Sequence, residues 1–377
     1  MALKRELVSL FIAAIAISVS GNIIGPFLPL YLQSLKAPVI VVGLLISLIN
    51  LAQALVKILG GVIADRFDEK PILMFTLILA MVPPTALLVA NQWMQTVPWL
   101  IIYGVAMSLF TPVWNVTIAR NTAPNSSRAR VFGAMNMAWP IGIILGPIIG
   151  GVLAEAFGWS GIMYSLLAVY SIGLVSIVIV TRHGSHFQTI VSRRGQLKVK
   201  PFATFILFQC LVAFGYGCIN PILPLYITSV LESKKEFVGV FWSICYGVTF
   251  LSTQIPGGRL AEKIPLRRVL LLGVTAAPML LVSMPSVKDR IIFFLLNVAL
   301  DTLWHLSVPA GNVIFLKILP DEGRGFYIGL GETIIMLAWT VAPSLSTFLY
   351  DVYGAGAPFY TSALFFALAT VTAGLQP

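Results

Sequence analysis

The chain has 377 residues, of which 58% are hydrophobic and only 10% are charged. A soluble domain carries roughly a quarter charged residues, so a chain this apolar cannot cover a water-facing surface and is predicted to lie in a bilayer. The net charge of +10 would suit a nucleic-acid-binding protein. The basic residues, however, lie in short breaks between apolar segments, which favours a role in membrane topology over nucleic-acid binding.

The apolar segments are each long enough to span a bilayer, which takes roughly 20 residues of helix. They predict twelve transmembrane helices, at 7–32, 39–64, 71–90, 95–119, 131–156, 160–181, 201–230, 237–261, 268–285, 290–317, 325–350 and 356–375. The first segment follows Lys4 and Arg5, as a signal peptide would. It exceeds the roughly 7–15 apolar residues of a signal peptide, so we expect it to remain as the first helix.

Lysine and arginine predict the orientation, because cytoplasmic loops retain positive charge. If the amino terminus is inside, most of the 24 Lys and Arg residues fall on the inner side. The outer loops then hold Lys36, Lys234, Lys235, Lys288 and Arg290. The sequence therefore predicts a multi-pass protein of the cell membrane with both termini in the cytoplasm.

The chain repeats itself once. The stretch "GPFLPLYL" at Gly25–Leu32 returns 195 residues later as "NPILPLYI" at Asn220–Ile227, and Pro112 and Pro309 are 197 residues apart. A polar linker at 182–200 separates residues 1–181 from residues 201–377. The predicted fold is an all-α membrane protein with two pseudo-symmetric six-helix bundles, related by an axis along the membrane normal.

Two charged loops repeat at the same spacing. The first follows the second helix and contains Gly61, Asp65, Arg66 and Lys70. The second follows the eighth helix and contains Gly258, Glu262, Lys263 and Arg267.

The first loop resembles the signature loop of the major facilitator superfamily, G-x-x-x-D-R-x-G-R-K, with Asp68 and Glu69 replacing its second glycine and next arginine. The resemblance implies the twelve-helix major facilitator fold and secondary transport by alternating access. In that fold each loop closes the inner side against the opposite half. Asp65 would then face the eleventh helix near Arg324, and Glu262 would face the fifth helix near Arg130.

The fifth predicted helix is rich in glycine. Its small residues and proline are Gly133, Gly142, Gly146, Pro147, Gly150 and Gly151. Three of these glycines recur every four residues on one helical face, where a neighbouring backbone can approach closely, and the proline invites a bend. The spacing resembles the helix-5 pattern of superfamily antiporters, which implies exchange of the solute for protons.

Ionisable residues inside predicted helices are candidates for function. Asp301 lies about 16 Å along its helix, near the bilayer midplane, and His305 follows one turn later on the same face. This pair is a candidate for binding and releasing a proton near neutral pH, and the alternative is a structural Asp–His hydrogen bond. Glu332 is either a second proton site or the partner of a basic residue. Lys57 is expected to extend its amine toward the interface.

The resemblance implies that helices 1, 4, 7 and 10 line the central cavity. Their polar and aromatic candidates for contacting a solute are Asn22, Thr111, Trp114, Asn115, Gln209, Tyr216, Asn220 and Trp304. Sparse polar groups on an apolar and aromatic surface suit an amphipathic organic solute. The predicted function is efflux of such a solute in exchange for protons, and the alternative is a facilitator or proton symporter for a metabolite.

A polytopic membrane enzyme is the remote alternative. The sequence contains no H-E-x-x-H, G-x-S-x-G or P-loop motif. Its three cysteines and three histidines have no zinc or disulfide spacing. We therefore expect no enzymatic activity, cofactor or metal. The expected partners are a small-molecule solute, protons and membrane lipids, and the chain is expected to act as a monomer.

Overall fold

The computed structural model describes residues 5–66, 68–121, 127–179, 197–320 and 324–376. All regular secondary structure within these ranges is helical. A helix satisfies its backbone donors and acceptors within its own segment, which is why apolar sequences of this length fold as helices in lipid.

Twelve apolar helical segments follow one another within the described ranges. They are α1 (Glu6–Ser34), α2 (Val39–Lys57), α3 (Glu69–Leu87), α4 (Trp93–Ile118), α5 (Val131–Ala156), α6 (Gly158–Val178), α7 (Val199–Ser229), α8 (Lys235–Lys263), α9 (Leu266–Ser286), α10 (Arg290–Ile318), α11 (Phe326–Tyr353) and α12 (Ala357–Ala373). The first eleven are long and apolar enough to cross a bilayer, and α12 is shorter. Each coincides with a predicted helix, which confirms the all-α membrane fold.

Several segments contain breaks that hydropathy did not predict. The segment α1 includes a 3₁₀ turn at Gly25–Phe27, and α5 is interrupted at Met137. A π-helical stretch, Ser243–Val248, lies inside α8. Such stretches insert an extra residue into a helical turn and are frequent at functional sites. The backbone of α2 continues as helix to Arg66.

The chain forms two compact units. The first comprises Met1–Ala37, Leu48–Thr189 and Lys234–Ser243, and the second comprises Pro38–Ser47, Ile190–Ser233 and Ile244–Pro377. The beginning of α2 therefore belongs to the second unit, and the beginning of α8 belongs to the first. The predicted bundle boundaries stay a prediction, and most of the predicted linker lies outside the described residues.

Each unit has an aromatic and aliphatic core. In the first unit α1 packs against α5 and α6, and α3 packs against α4. In the second unit α7 packs against α11 and α12, and α8 packs against α10. The second unit also buries two polar side chains of α10 completely, Asn297 and Asp301. Complete burial of a carboxylic acid is unusual, so these residues are the starting point for the candidate site.

Candidate functional site

Asp301 lies in the middle of α10 and is completely buried. Its Oδ2 accepts a hydrogen bond of 2.6 Å from Nδ2 of Asn297, one turn earlier on the same helix. Helical side chains lean toward the amino terminus, which explains why the carboxylate reaches back to Asn297. Among the described residues, Oδ1 of Asp301 and Oδ1 of Asn297 have no hydrogen-bond partner.

Three further side chains of the second unit surround this carboxylate. The hydroxyl of Tyr216 on α7 lies near Asp301 without forming a hydrogen bond there by distance and angle. Tyr246 and Cys245 both belong to the π-helical stretch of α8. Each is close enough to interact electrostatically with the carboxyl group of Asp301. The site therefore combines one carboxylic acid with neutral polar groups, and no described basic residue pairs with Asp301.

Gly104 is the residue of the first half that corresponds to Asp301 in the sequence repeat. The two are separated by the same number of residues as Pro112 and Pro309. A Cβ atom at Gly104 would lie 2.8 Å from the Ile49 carbonyl oxygen and 3.2 Å from the Ala52 Cβ. The first unit thus has a glycine at this position because α2 approaches α4 closely. The second unit has an acid there, opposite the π-helical stretch of α8.

His305 has a different partner from Asp301. Its Nδ1 lies 2.9 Å from the hydroxyl oxygen of Thr249 on α8, and its ring meets Phe250 edge-on with 5.4 Å between centroids. The hydrogen bonds of the described residues do not join Asp301 to His305. Sequence spacing placed the two side chains on one face, but it carried no information about Thr249 or Asn297.

The solute-contact candidates of α1 and α4 differ in exposure. Trp114 is completely buried, its Nε1–H donates to the Leu10 carbonyl at 3.2 Å, and its ring meets Trp139 edge-on. Asn22 is half-buried and donates to the Ser18 carbonyl at 2.8 Å. Thr111 is half-buried and Asn115 is exposed. Trp114 therefore supports packing inside the first unit, whereas Asn115 is accessible.

The second unit holds the remaining solute-contact candidates. Trp304 is half-buried, with ring centroids 6.1 Å from Tyr216 and 6.4 Å from Phe208. Gln209 and Asn220 are half-buried. The remaining ionisable candidates, Glu332 on α11 and Lys57 on α2, are exposed rather than buried.

Three glycines of α5 lie against α1. A Cβ atom at Gly142 would overlap Ser18, and one at Gly150 would overlap the Ile23 carbonyl. One at Gly146 would lie 2.6 Å from the Asn22 Cβ. The small residues of this face therefore allow the two helices to pack backbone to backbone.

The other α5 candidates have different surroundings. A Cβ atom at Gly133 would meet no atom within 4 Å. Gly151 lies against the beginning of α8, where a Cβ would be 3.0 Å from the Lys235 carbonyl oxygen, and the Pro147 carbonyl contacts Gly239. Thus α5 uses one glycine face for α1 and an adjoining position for α8.

The described residues include the side chains of the second charged loop but few of those of the first. Gly61 lies in the helix that continues α2. The side chains of Asp65 and Arg66 lie outside the described residues, as do those of the predicted partners Arg130 and Arg324. Lys70 donates to the Val178 carbonyl at 3.2 Å. In the second loop α8 ends at Lys263 and the chain turns at Ile264 and Pro265. Its candidates Gly258, Glu262, Lys263 and Arg267 lie around this turn, and the last three are exposed.

Sequence reasoning missed a contact at the beginning of α2. The backbone N–H of Ile40 donates to Oδ2 of Asp351, on α11, at 3.0 Å. Ser344 donates to Ser47 at 2.7 Å further along the same two helices. A carboxylate at a helix amino terminus satisfies a free N–H and interacts favourably with the helix dipole. Asp351 therefore caps α2 from another helix.

A comparable contact lies at the beginning of α8, in the first unit. The Lys235 ammonium sits 4.6 Å from the centre of the Trp159 ring, and Ser243 donates to the Ile144 carbonyl at 2.7 Å. Across the described ranges, no three His, Cys, Asp or Glu side chains come together as a metal site would require.

The twelve apolar helical segments of the described ranges, in two compact units, define a polytopic membrane protein. The sequence profile of the Major Facilitator Superfamily matches residues 10–208 and 205–375, and the chain belongs to this family. It is a membrane transporter of that superfamily.

The chain is similar in sequence to a multidrug efflux pump and similar in fold to two transporters of known structure. The chain is 22% identical to the multi-drug resistance efflux pump PmrA of Streptococcus pneumoniae, over 92% of this chain and 89% of PmrA. A bacterial homologue of the human lysosomal transporter Spinster has a TM-score of 0.83 at 14% identity, over 100% and 97% of the two chains. A D-xylose–proton symporter has a TM-score of 0.80 at 14% identity, over 99% and 98%.

Proposed function

We propose that this transporter exports a small amphipathic organic solute in exchange for protons, by alternating access, and that Asp301 carries the proton. The observation that supports the proposal is the complete burial of a carboxylic acid without a basic partner among the described residues. The similarity to the efflux pump PmrA supports the direction of transport.

The proton exchange follows from the surroundings of Asp301. An ionised, unpaired carboxylate is costly by several kcal/mol in a low-dielectric interior, so the closed site would hold the acid in its neutral form. When water enters, the ionised form becomes acceptable and the proton can leave. Asn297 suits both forms, because an amide can donate to a carboxylate through its NH₂ or accept from a carboxylic acid through its oxygen.

The remaining proton candidates have supporting roles in this proposal. His305 is a second proton acceptor on the same helix, and Glu332 is exposed on α11. The solute would meet half-buried and exposed candidates such as Thr111, Asn115 and Trp304. Aromatic and amide groups of this kind bind an amphipathic solute through apolar contact and a few hydrogen bonds. No cofactor, metal or enzymatic activity is part of the proposal.

Transport into proteoliposomes tests the proposed function. Purified protein is reconstituted, and uptake of a panel of amphipathic cations, neutral drugs and sugars is measured with and without a pH gradient. Exchange of an amphipathic solute for protons would support the proposal. Proton-driven uptake of a sugar in the same direction as the protons would favour the symporter, for which the fold of the D-xylose–proton symporter is a precedent. Movement that ignores the pH gradient would favour a facilitator.

The contacts at the beginnings of α2 and α8 are candidates for contacts made in one transport state. Alternating access requires contacts that form in one state and break in the other. We propose the Asp351–Ile40 and Lys235–Trp159 contacts for this role, because each lies at a helix end. On the opposite side, Asp65 and Glu262 are proposed to hold the inner closure. Increased labelling of inner-cavity cysteines in Asp65→Asn would support this, whereas unchanged labelling would leave only a topological role.

We further propose that the chain acts as a monomer in the cytoplasmic membrane, with both termini inside and anionic lipids near its basic inner loops. The two six-helix bundles, residues 1–181 and 201–377, are the proposed moving parts. Cysteines at the two ends of the chain should be protected from an impermeant thiol reagent in intact cells. Labelling of either end from outside would reverse the proposed orientation.

A further inference from the structure

The hydroxyl of Thr249 links α8 to α10. Its Oγ1 forms a short contact with the Cys245 carbonyl oxygen, one turn earlier in α8. The same Oγ1 lies 2.9 Å from Nδ1 of His305. Thr249 is buried, and Cys245 belongs to the π-helical stretch. One hydroxyl group therefore makes two hydrogen bonds at once.

These two contacts determine where the imidazole proton lies. A carbonyl oxygen can only accept, and a threonine hydroxyl has a single hydrogen. If that hydrogen pointed at His305, the oxygens of Thr249 and Cys245 would face each other at contact distance with no proton between them. Both contacts are satisfied only when Thr249 donates to the carbonyl and accepts from an Nδ1–H group of His305. The structure thus assigns the Nδ1–H tautomer to neutral His305.

In the assigned tautomer, Nε2 of neutral His305 carries no proton. The His305 side chain is half-buried rather than buried, and no described residue bonds Nε2. Phe250 contacts the ring edge-on. The described hydrogen bond of Asp301 is made with Asn297 and not with His305. An unprotonated imidazole nitrogen is a hydrogen-bond acceptor.

We propose that Nε2 of His305 is a recognition site for an organic solute that carries an N–H donor, and that Thr249 is the positioning residue that keeps this nitrogen unprotonated. The proposal rests on the proposed transport function for its ligand. The tautomer itself does not depend on that function. A solute of the same shape and charge without an N–H group would lose this hydrogen bond.

The test uses the full chain with a single histidine. The chain has three histidines, and His183→Asn with His186→Asn leaves His305 alone. With ¹⁵N-labelled histidine at about pH 8, where imidazole is ordinarily neutral, NMR should report a protonated Nδ1 and an unprotonated Nε2. Thr249→Ser should preserve this spectrum. Thr249→Val should convert it to the Nε2–H form, which neutral imidazole favours when nothing holds Nδ1. An Nε2–H spectrum from the protein with Thr249 intact would overturn the assignment.

The same sample tests recognition. Protonated N,N-dimethylbenzylamine has one N–H, and benzyltrimethylammonium has the same charge and none. Titration with the first should move the Nε2 resonance, and its affinity should fall on the order of tenfold in Thr249→Val, the loss expected for one hydrogen bond. The second should not move that resonance, and its affinity should be the same in both proteins. Equal effects on both compounds, or no movement with either, would overturn the recognition site. Failure of proton exchange in liposomes would instead contradict the proposed function and leave the spectra unchanged.

Discussion

The amide of Asn297 and the carboxylate of Asp301 lie 2.6 Å apart, one turn from each other on α10, and both side chains are completely buried. A hydrogen bond between a neutral amide and an acid is a modest interaction in water. In a dry interior it is the principal solvation that the acid receives. The free energy of unfolding should therefore depend on both residues together.

Replacing Asn297 tests this dependence. Asn297→Leu leaves the Asp301 carboxyl without its donor and should lower the free energy of unfolding by about 1–3 kcal/mol. The double variant Asn297→Leu, Asp301→Leu removes both partners and should be less destabilised than the sum of the two single changes. Thermal unfolding in detergent for all four proteins measures the coupling. Strict additivity would mean that the two side chains do not stabilise each other.

The glycine face of α5 gives a prediction with an internal control. Gly146→Ala places a methyl group 2.6 Å from the Asn22 Cβ, so α5 and α1 must separate, and stability should fall by about 1–3 kcal/mol. Gly133→Ala, in the same segment, meets no atom within 4 Å and should be neutral or slightly stabilising. Unfolding temperatures that respond equally to both changes would show that contact with α1 is not what requires glycine.

The cap that Asp351 provides for α2 should protect the beginning of that helix. Asp351→Ala removes the acceptor of the Ile40 N–H and should cost about 0.5–1 kcal/mol of local stability. Hydrogen exchange of peptides covering 39–47 should become faster. Glu155→Gln, which removes an exposed carboxylate of α5, is the matched control and should leave this segment unchanged. Equal exchange in Asp351→Ala and the parent protein would contradict the cap.

We expect the stability of the first turn of α10 to depend on acid, because Asp289 caps it. Its Oδ1 accepts from the backbone N–H groups of Ile292 and Ile291 at 3.0 and 2.8 Å, and these hydrogen bonds hold the pKa of the Asp289 carboxyl below its ordinary value. A lowered folded-state pKa contributes stability that is present above the unfolded value, about 3.9, and lost as pH falls through the folded value.

Hydrogen exchange at the first turn of α10 measures this contribution. Its protection, relative to Asp289→Asn, should be constant near neutral pH and should shrink below about pH 4. The asparagine variant corrects for the intrinsic pH dependence of exchange because its side chain does not titrate there. A protection ratio that does not change with acid would mean that the carboxylate does not cap α10.

The course of the chain through the bilayer could be predicted from the sequence because lipid leaves few alternatives. Apolar length alone located the segments from α1 to α12, and the charged loops after α2 and α8 indicated the family. The interruption at Met137 and the π-helical stretch Ser243–Val248 could not be predicted, since neither changes hydropathy.

In the candidate site, too, some residues could be predicted from the sequence and others could not. Asp301 stood out because an acid in an apolar helix is costly. Its partner Asn297 had a weaker signal, since an amide four residues earlier is common in helices. Thr249 gave none, because its contact with His305 depends on how α8 meets α10. Asp351 was missed because its position near a helix end is ordinary for an acid, and only the structure identifies Ile40 as its donor.

Proton-driven transport by Asp301→Asn is the most direct measurement of the central claim. The amide has nearly the same shape as the acid and can still bond Asn297, so the fold should be retained, but it cannot bind and release a proton near neutral pH. In proteoliposomes the variant should exchange solute for solute, yet it should not move solute uphill on a pH gradient. Glu332→Gln, at an exposed position on α11, should retain uphill transport. If Asp301→Asn still drives solute uphill and Glu332→Gln does not, the coupling proton is on Glu332 and the account of Asp301 is wrong.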